Sequence, residues 1–453
     1  MNNFWRYLLL AVVLFAGALV FIVVRNWDTV SLAWENAAAM TEGSEDARSI
    51  TSPEGLTAYL SRHPGRVSLV TMSADGMAQQ LHNADARRPL YRFPHLLLLA
   101  AATERMHDGR LDSTEQVPLE DIGAFALPGL TDAAHAEMVD SLRAQGHVRG
   151  EAIPLGHVVR GMVTHQSTAA ADWLMRRLGR QTVAGLPEAY GLTNSDAPRP
   201  MSGTYVTWLR ARNASSDSLR IEPHLGMTSD TYADTVWAAT NRIATDASFR
   251  TSVGSPLAEE GTGLSVTQQR DLANATFPAG TALDYARLLA QVYTGGPNAR
   301  STGTAPVQSG WMQMRALLET QLSHAPEGGG TQRQDASQPD SQALAASRLP
   351  DSLVADSTRR NEILQTKAIA DVAGAYPGFL TLGGYARYNG VDDRPDPGAH
   401  VVVLLMHDLP VAVFYQLAQT GIDKGLFLEL MVDEETPERV VTQIRRDAEG
   451  DPS

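Results

Sequence analysis

Arg92 and His95 stand three residues apart, just ahead of an apolar stretch from Leu96 to Ala102. A planar guanidinium can grip a carboxylate through two parallel hydrogen bonds. An imidazole can accept a proton near neutral pH. Other chemistries are excluded by what the chain lacks. It has no Cys, which removes disulfides, thiolate metal sites and a Cys nucleophile. Its 12 His are scattered, with no His-Glu-x-x-His and no close pair backed by carboxylates, so no metal is expected. No Gly-rich loop has phosphate-cradling spacing, and Gly-x-Ser-x-Gly does not occur, so no cofactor is expected either. A net charge of −14 argues against a nucleic-acid partner.

The element that must position Arg92 and His95 runs from Pro89 to Asp112. Its middle is apolar on every face, the pattern of a helix buried on all sides. Pro94 suits the first turn, and Gly109 suits the left-handed position just past the end. Arg92 and His95 would then project from the core at the polar N-terminal end.

The order Pro89-Leu90-x-Arg92-x-x-His95, apolar helix, Gly109-Arg110-Leu111-Asp112 resembles the start of the catalytic domain in class A β-lactamases and related penicillin-recognising serine hydrolases. In that family the helix opens with Ser-x-x-Lys, the Ser being acylated and the Lys helping to activate it. The gapless register puts Arg92 at the Ser and His95 at the Lys. Lys occurs only as Lys367 and Lys424, and neither completes a Ser-x-x-Lys. The family's second motif, Ser-Asp-Asn before a helix reading Thr-Ala-Ala-x-Leu-Leu-x-x-Leu-Gly, falls on Gln166-Ser167-Thr168, followed by A-A-A-D-W-L-M-R-R-L-G. Gln166 cannot shuttle a proton as Ser does, and Ser167 or Thr168 could simply cap the helix. The third motif, Lys-Thr-Gly on an inner strand, falls on Val372-Ala373-Gly374 by spacing back from Pro377-Gly378. Matching the Lys instead puts it on Lys367. Gly374 could be kept because backbone must approach closely. No deacylating Glu is identifiable; Glu188 reads as helix surface. A rewired mechanism would need Ser167 as nucleophile, His95 as base and Arg92 as carboxylate holder, since the resemblance brings those loops together.

The resemblance implies an α+β fold, an antiparallel sheet flanked by helices with a mostly helical lobe at about 110–300, within a domain over 51–436. Tyr7 to Val24 is an uninterrupted apolar run that just reaches the ~18–20 residues of a membrane-crossing helix. Phe4, Trp5 and Trp27 flank it, as aromatic rings do at membrane interfaces. Residues 1–27 are therefore expected to be a single transmembrane helix preceding the domain, with 28–50 a polar tether and the C-terminal domain outside the cytoplasm. Ser52-Pro53-Glu54 starts a helix, Arg66–Ser73 and Met77–Asn83 form a hairpin, and 200–275 is an insertion. Residues 324–347 are low-complexity and expected to be disordered. Phe379–Tyr388 and His400–His407 read as strands, Leu382-Gly383-Gly384-Tyr385 as a bend, Leu409–Met431 as one closing helix, and 437–453 as a charged tail, at most a short helix. The expected role is a non-catalytic cell-envelope relative that binds a peptidoglycan fragment or an envelope protein in the old cleft. The alternatives are an active hydrolase or a structural protein with a filled cleft.

Overall fold

The computed structural model describes residues 36–73, 76–211, 226–296, 310–319, 367–388, 400–433 and 435–448. The apolar run at 7–24 and the low-complexity stretch 324–347 lie outside them. Among the described residues no helix is long and apolar enough to cross a membrane.

After a short helix at Ser44–Ser49, α1 (Pro53–Arg62) begins as its sequence dictates: Ser52 accepts the Gly55 N–H and Pro53 occupies the first turn. A hairpin follows, β1 (Val67–Ser73) and β2 (Ala78–His82), with a register shift between Thr71 and Met72. Three more strands come late in the chain: β3 (Lys367–Tyr376), β4 (Phe379–Tyr388) and β5 (His400–Met406). They complete a five-stranded sheet in the order β2-β1-β5-β4-β3, antiparallel throughout. The N-terminal hairpin is thus closed by the C-terminal strands, and the helical lobe is inserted between them.

The central helix is α2 (His95–His107), buried continuously from Leu96 to Thr103. Gly109 follows it with φ 70°, the left-handed geometry that ends such a helix. It touches α3 (Leu155–Thr164), α4 (Thr168–Leu178) and α7 (Gly310–Glu319). A Cβ on Gly310 would lie 2.5 Å from Glu104 Cα, so α7 crosses α2 backbone to backbone. Helix α5 (Met201–Ala211) and three more over 229–276 fill the region expected to be an insertion, and α6 (Ala282–Thr294) lies against β1, β4 and β5.

Four expectations are corrected. The stretch 409–431 is two helices, α8 (Val411–Thr420) and α9 (Ile422–Val432). Gly421, at φ 64°, breaks them apart. The charged tail is a 13-residue helix, α10 (Thr436–Ala448), because Val440, Val441 and Ile444 are buried toward α1 and β2. The tether joins the domain by residue 36: Asn36 Oδ1 accepts the Val266 N–H at 2.9 Å, and Ile50 is fully buried. The double glycine in β4 is not a bend but a point of contact on both faces. A Cβ on Gly383 would run into Phe93, and one on Gly384 into the Ala370 carbonyl.

Candidate functional site

The mouth of α2 is built by a tight turn over residues 91–94. The Phe93 N–H bonds the Leu90 carbonyl at 2.9 Å and the His95 N–H bonds the Arg92 carbonyl at 2.8 Å. Tyr91 takes φ 50°, uncommon for a bulky residue. Its ring is held between Phe277 and Tyr376, at centroid distances of 5.2 and 5.4 Å. This turn carries Arg92 inward rather than outward. Arg92 is only 4% exposed, which corrects the expectation that it projects from the core. Its guanidinium carbon lies 4.8 Å from the Tyr91 ring centroid, within cation–π range.

Strand β3 approaches from the other side. A Cβ at Gly374 would lie 2.6 Å from Thr381 Oγ1 and 3.3 Å from the Leu90 carbonyl. Only glycine lets the sheet come this close to the turn, and the Thr381 hydroxyl seals the contact by donating to the Gly374 carbonyl at 3.0 Å. Val372 and Ala373 therefore meet Arg92, His95 and Gln166 around one cavity, with Leu96, Leu99, Met162 and Leu318 completing its wall. Lys367 starts the same strand, five residues and so roughly 16 Å of extended backbone from Val372.

The cavity holds about 30 Å³, room for one or two waters. Leu318, on α7, lines one side of it; helix α7 was not read from the sequence. Glu319 fixes that helix by accepting two hydrogen bonds from Arg387, the Nε one at 2.7 Å.

The segment before α4 places its three residues differently. Gln166 has φ 51° and is half-buried against the cavity. Ser167 is fully buried and caps α4, its Oγ accepting the Ala170 N–H at 3.2 Å. A hydroxyl used this way, without solvent access, is not presented to a substrate. Thr168 is also buried, and its Oγ1 has no hydrogen-bond partner. Glu188 is exposed on the short helix Leu186–Ala189. Among the described residues no three His, Asp or Glu come together as metal ligands.

Asp172 is the site residue that motif reading passed over. It is fully buried on α4 and accepts the N–H groups of Met201 at 2.9 Å and Ser202 at 2.7 Å, holding the start of α5. The available signal was one acid inside the apolar run Ala169–Leu174. Burial pushes its carboxyl up to about 7, against the pull of those N–H groups and of Arg92. His95 goes the other way: burial, then the Arg92 charge, lowers it to about 3, so its ring is neutral at physiological pH.

The two shifts act on stability with opposite signs. Folded Asp172 holds its proton where the unfolded chain has lost it, so its contribution is full below pH ~4 and disappears as pH rises through 7. His95 contributes above pH ~6.5 and loses that contribution as pH falls toward 3. Asp172→Asn isolates the first effect. The stability advantage of the wild type over Asp172→Asn should shrink by roughly 2–4 kcal/mol between pH 4 and pH 8, read from urea midpoints. An advantage that stays constant with pH would show that Asp172 is ionised in the fold.

A helical lobe inserted into an antiparallel sheet, with a buried helix whose mouth meets an inner strand at a glycine, defines a serine-hydrolase scaffold. The chain belongs to the β-lactamase enzyme family, whose family model matches residues 53–302. No curated protein sequence matches it. Among solved structures it is similar to a β-lactamase from Sphaerobacter thermophilus DSM 20745, at 15% identity and TM-score 0.43, covering 83% of this chain and 95% of that one. It is likewise similar to the class A β-lactamase GNCA4 of the last common ancestor of Gram-negative bacteria, at 12% identity and TM-score 0.42, covering 83% of this chain and 99% of that one.

Proposed function

We propose that this protein is a non-catalytic member of the β-lactamase family, a membrane-tethered envelope protein whose former active site has become part of its core. The observation that carries the reading is the cavity at the mouth of α2, about 30 Å³ where a drug-sized ligand needs about 300–1,000 Å³. The chemistry agrees with the size. Acyl transfer needs an activated nucleophile, a base and oxyanion donors in one accessible place. A buried arginine stands where the acylated Ser would be, a neutral, half-buried imidazole where the Lys would be, and Val372-Ala373 where Lys-Thr would be. The same volume argues against a peptidoglycan fragment seated in the cleft. A protein partner would therefore bind an outer surface.

The membrane tether rests on the apolar run Tyr7–Val24 with its aromatic flanks. Labelling from either side of the membrane, at a cysteine introduced into this cysteine-free chain, tests the topology. Purified protein is expected to give no turnover of a chromogenic cephalosporin above buffer. Hydrolysis that follows the protein through purification would refute the non-catalytic reading.

A further inference from the structure

A second hollow lies away from the mouth of α2, and it is large. It holds about 700 Å³, inside the range of about 300–1,000 Å³ that ligand sites occupy. One wall is the outer face of the helix Asp132–Ala144. That helix buries Met138 and Leu142, and a Cβ on Gly161 would run into Met138. His135, Ala136, Val139, Asp140 and Arg143, at the spacing of one helical face, are left to line the groove. Pro118, Leu119 and Glu120 form another wall, and Gly150 and Glu151 complete it. The walls are tied together. The Leu119 N–H donates to the Glu151 carbonyl at 2.9 Å, and His135 reaches Gly123, where a Cβ would lie 3.5 Å from its Nε2.

The lining is part apolar and part acidic. Pro118, Leu119, Ala136 and Val139 are apolar, while Glu120, Asp140 and Glu151 set three carboxylates against the single guanidinium of Arg143. Arg143 meets Glu151 at 3.4 Å and Asp140 at 3.8 Å. Such exposed pairs are weak, and three acids against one base leave a surplus of two negative charges. His135 does not offset it, because burial lowers its pKa against the pull of Asp132 and leaves the ring neutral at physiological pH. An arginine side chain matches both halves of this lining. Its methylene stem lies along apolar surface, and its planar fork takes two carboxylate oxygens at once.

We propose that this groove docks an arginine-bearing segment of a protein partner. The inference rests on the reading that the former cleft is closed, and it assigns the outer surface which that reading leaves to a partner.

An amidated tetra-arginine peptide carrying a fluorophore is the probe. Full-length protein in a non-ionic detergent is titrated into it at physiological ionic strength, and binding is read by anisotropy. Saturable binding is expected, several-fold tighter than to a tetra-lysine peptide of equal charge. Ala136→Arg gives the groove a guanidinium of its own and should weaken binding about tenfold; Ala136→Gln, similar in reach but uncharged, should weaken it less. Glu120→Gln combined with Glu151→Gln should also weaken it about tenfold. Glu45→Gln combined with Glu188→Gln removes the same charge from exposed positions elsewhere and should leave binding unchanged. All these positions are exposed, where substitutions alter stability little. Equal losses in the two double variants, or equal binding of the lysine peptide, would overturn the proposal by exposing a general attraction to the net charge of −14. Absence of saturable binding would overturn it too. Turnover of a cephalosporin would refute the non-catalytic reading without moving any of these midpoints, so the two failures are distinguishable.

Discussion

Asp172→Ala is expected to destabilise the protein by about 2–5 kcal/mol, because it strips the acceptors from two buried N–H groups. Its two oxygens satisfy the first N–H groups of α5, at 2.9 and 2.7 Å. Alanine would leave both donors buried and unpaired, each at about 1–3 kcal/mol. Asp172→Asn keeps the shape and one acceptor, so it should lose about 1–2 kcal/mol near neutral pH. Urea unfolding followed by tryptophan fluorescence separates the two variants. A loss below about 1 kcal/mol for Asp172→Ala would mean that Asp172 does not anchor α5.

Gly384→Ala is the second large effect. Gly384 pairs with Asp371 across β3 and β4, and its Cβ would run into the Ala370 carbonyl, a backbone atom that cannot rotate away. Folded protein is expected to be lost, or stability reduced by more than about 4 kcal/mol. One residue earlier, Gly383→Ala would meet the Phe93 ring, a side chain that can yield. It should lose about 1–3 kcal/mol by overpacking. If the two variants behaved alike, the difference between backbone and side-chain contact would not be what sets the tolerance of this strand.

These residues also show how far the sequence could be read. The central helix was legible because Leu96 to Ala102 is apolar on every face, and its buried span runs from Leu96 to Thr103. Both hairpin strands and β4 were legible from alternation between turn residues, β4 to its end residues, Phe379 and Tyr388. The direction of Arg92 was not. An arginine before an apolar helix reads as a polar end, and it is turned inward only by the φ 50° turn at Tyr91 and by the aromatic rings around it. These are contacts among residues far apart in the chain. Asp172 was passed over because a motif directs attention to Gln166-Ser167-Thr168, while its own task is defined by an N-terminus about 30 residues downstream. Helix α10 was misjudged because charge dominated its composition, although Val440, Val441 and Ile444 lie at the spacing of one helical face. The break at Gly421 was legible in principle, since a glycine within an apolar helical pattern can mark a C-cap.

Charge burial links these pieces to function. Arg92 and Asp172 lie inside the region where a hydrolase of this scaffold would keep an acylatable hydroxyl and its base. Asp172 holds the start of α5 through the Met201 and Ser202 N–H groups. The same fold therefore carries polar groups that position backbone, with Gly374 still required because a Cβ there would lie 3.3 Å from the Leu90 carbonyl of the turn.

The most direct test is the intact mass of the protein after incubation with an excess of a penicillin and, separately, a cephalosporin. The mass is expected to stay unchanged with both, since among the described residues Ser167, beside the mouth of α2, is buried and engaged in capping α4. A stable adduct of one acyl group, mapped to Ser167 or to any residue lining the Arg92 cavity, would contradict the account.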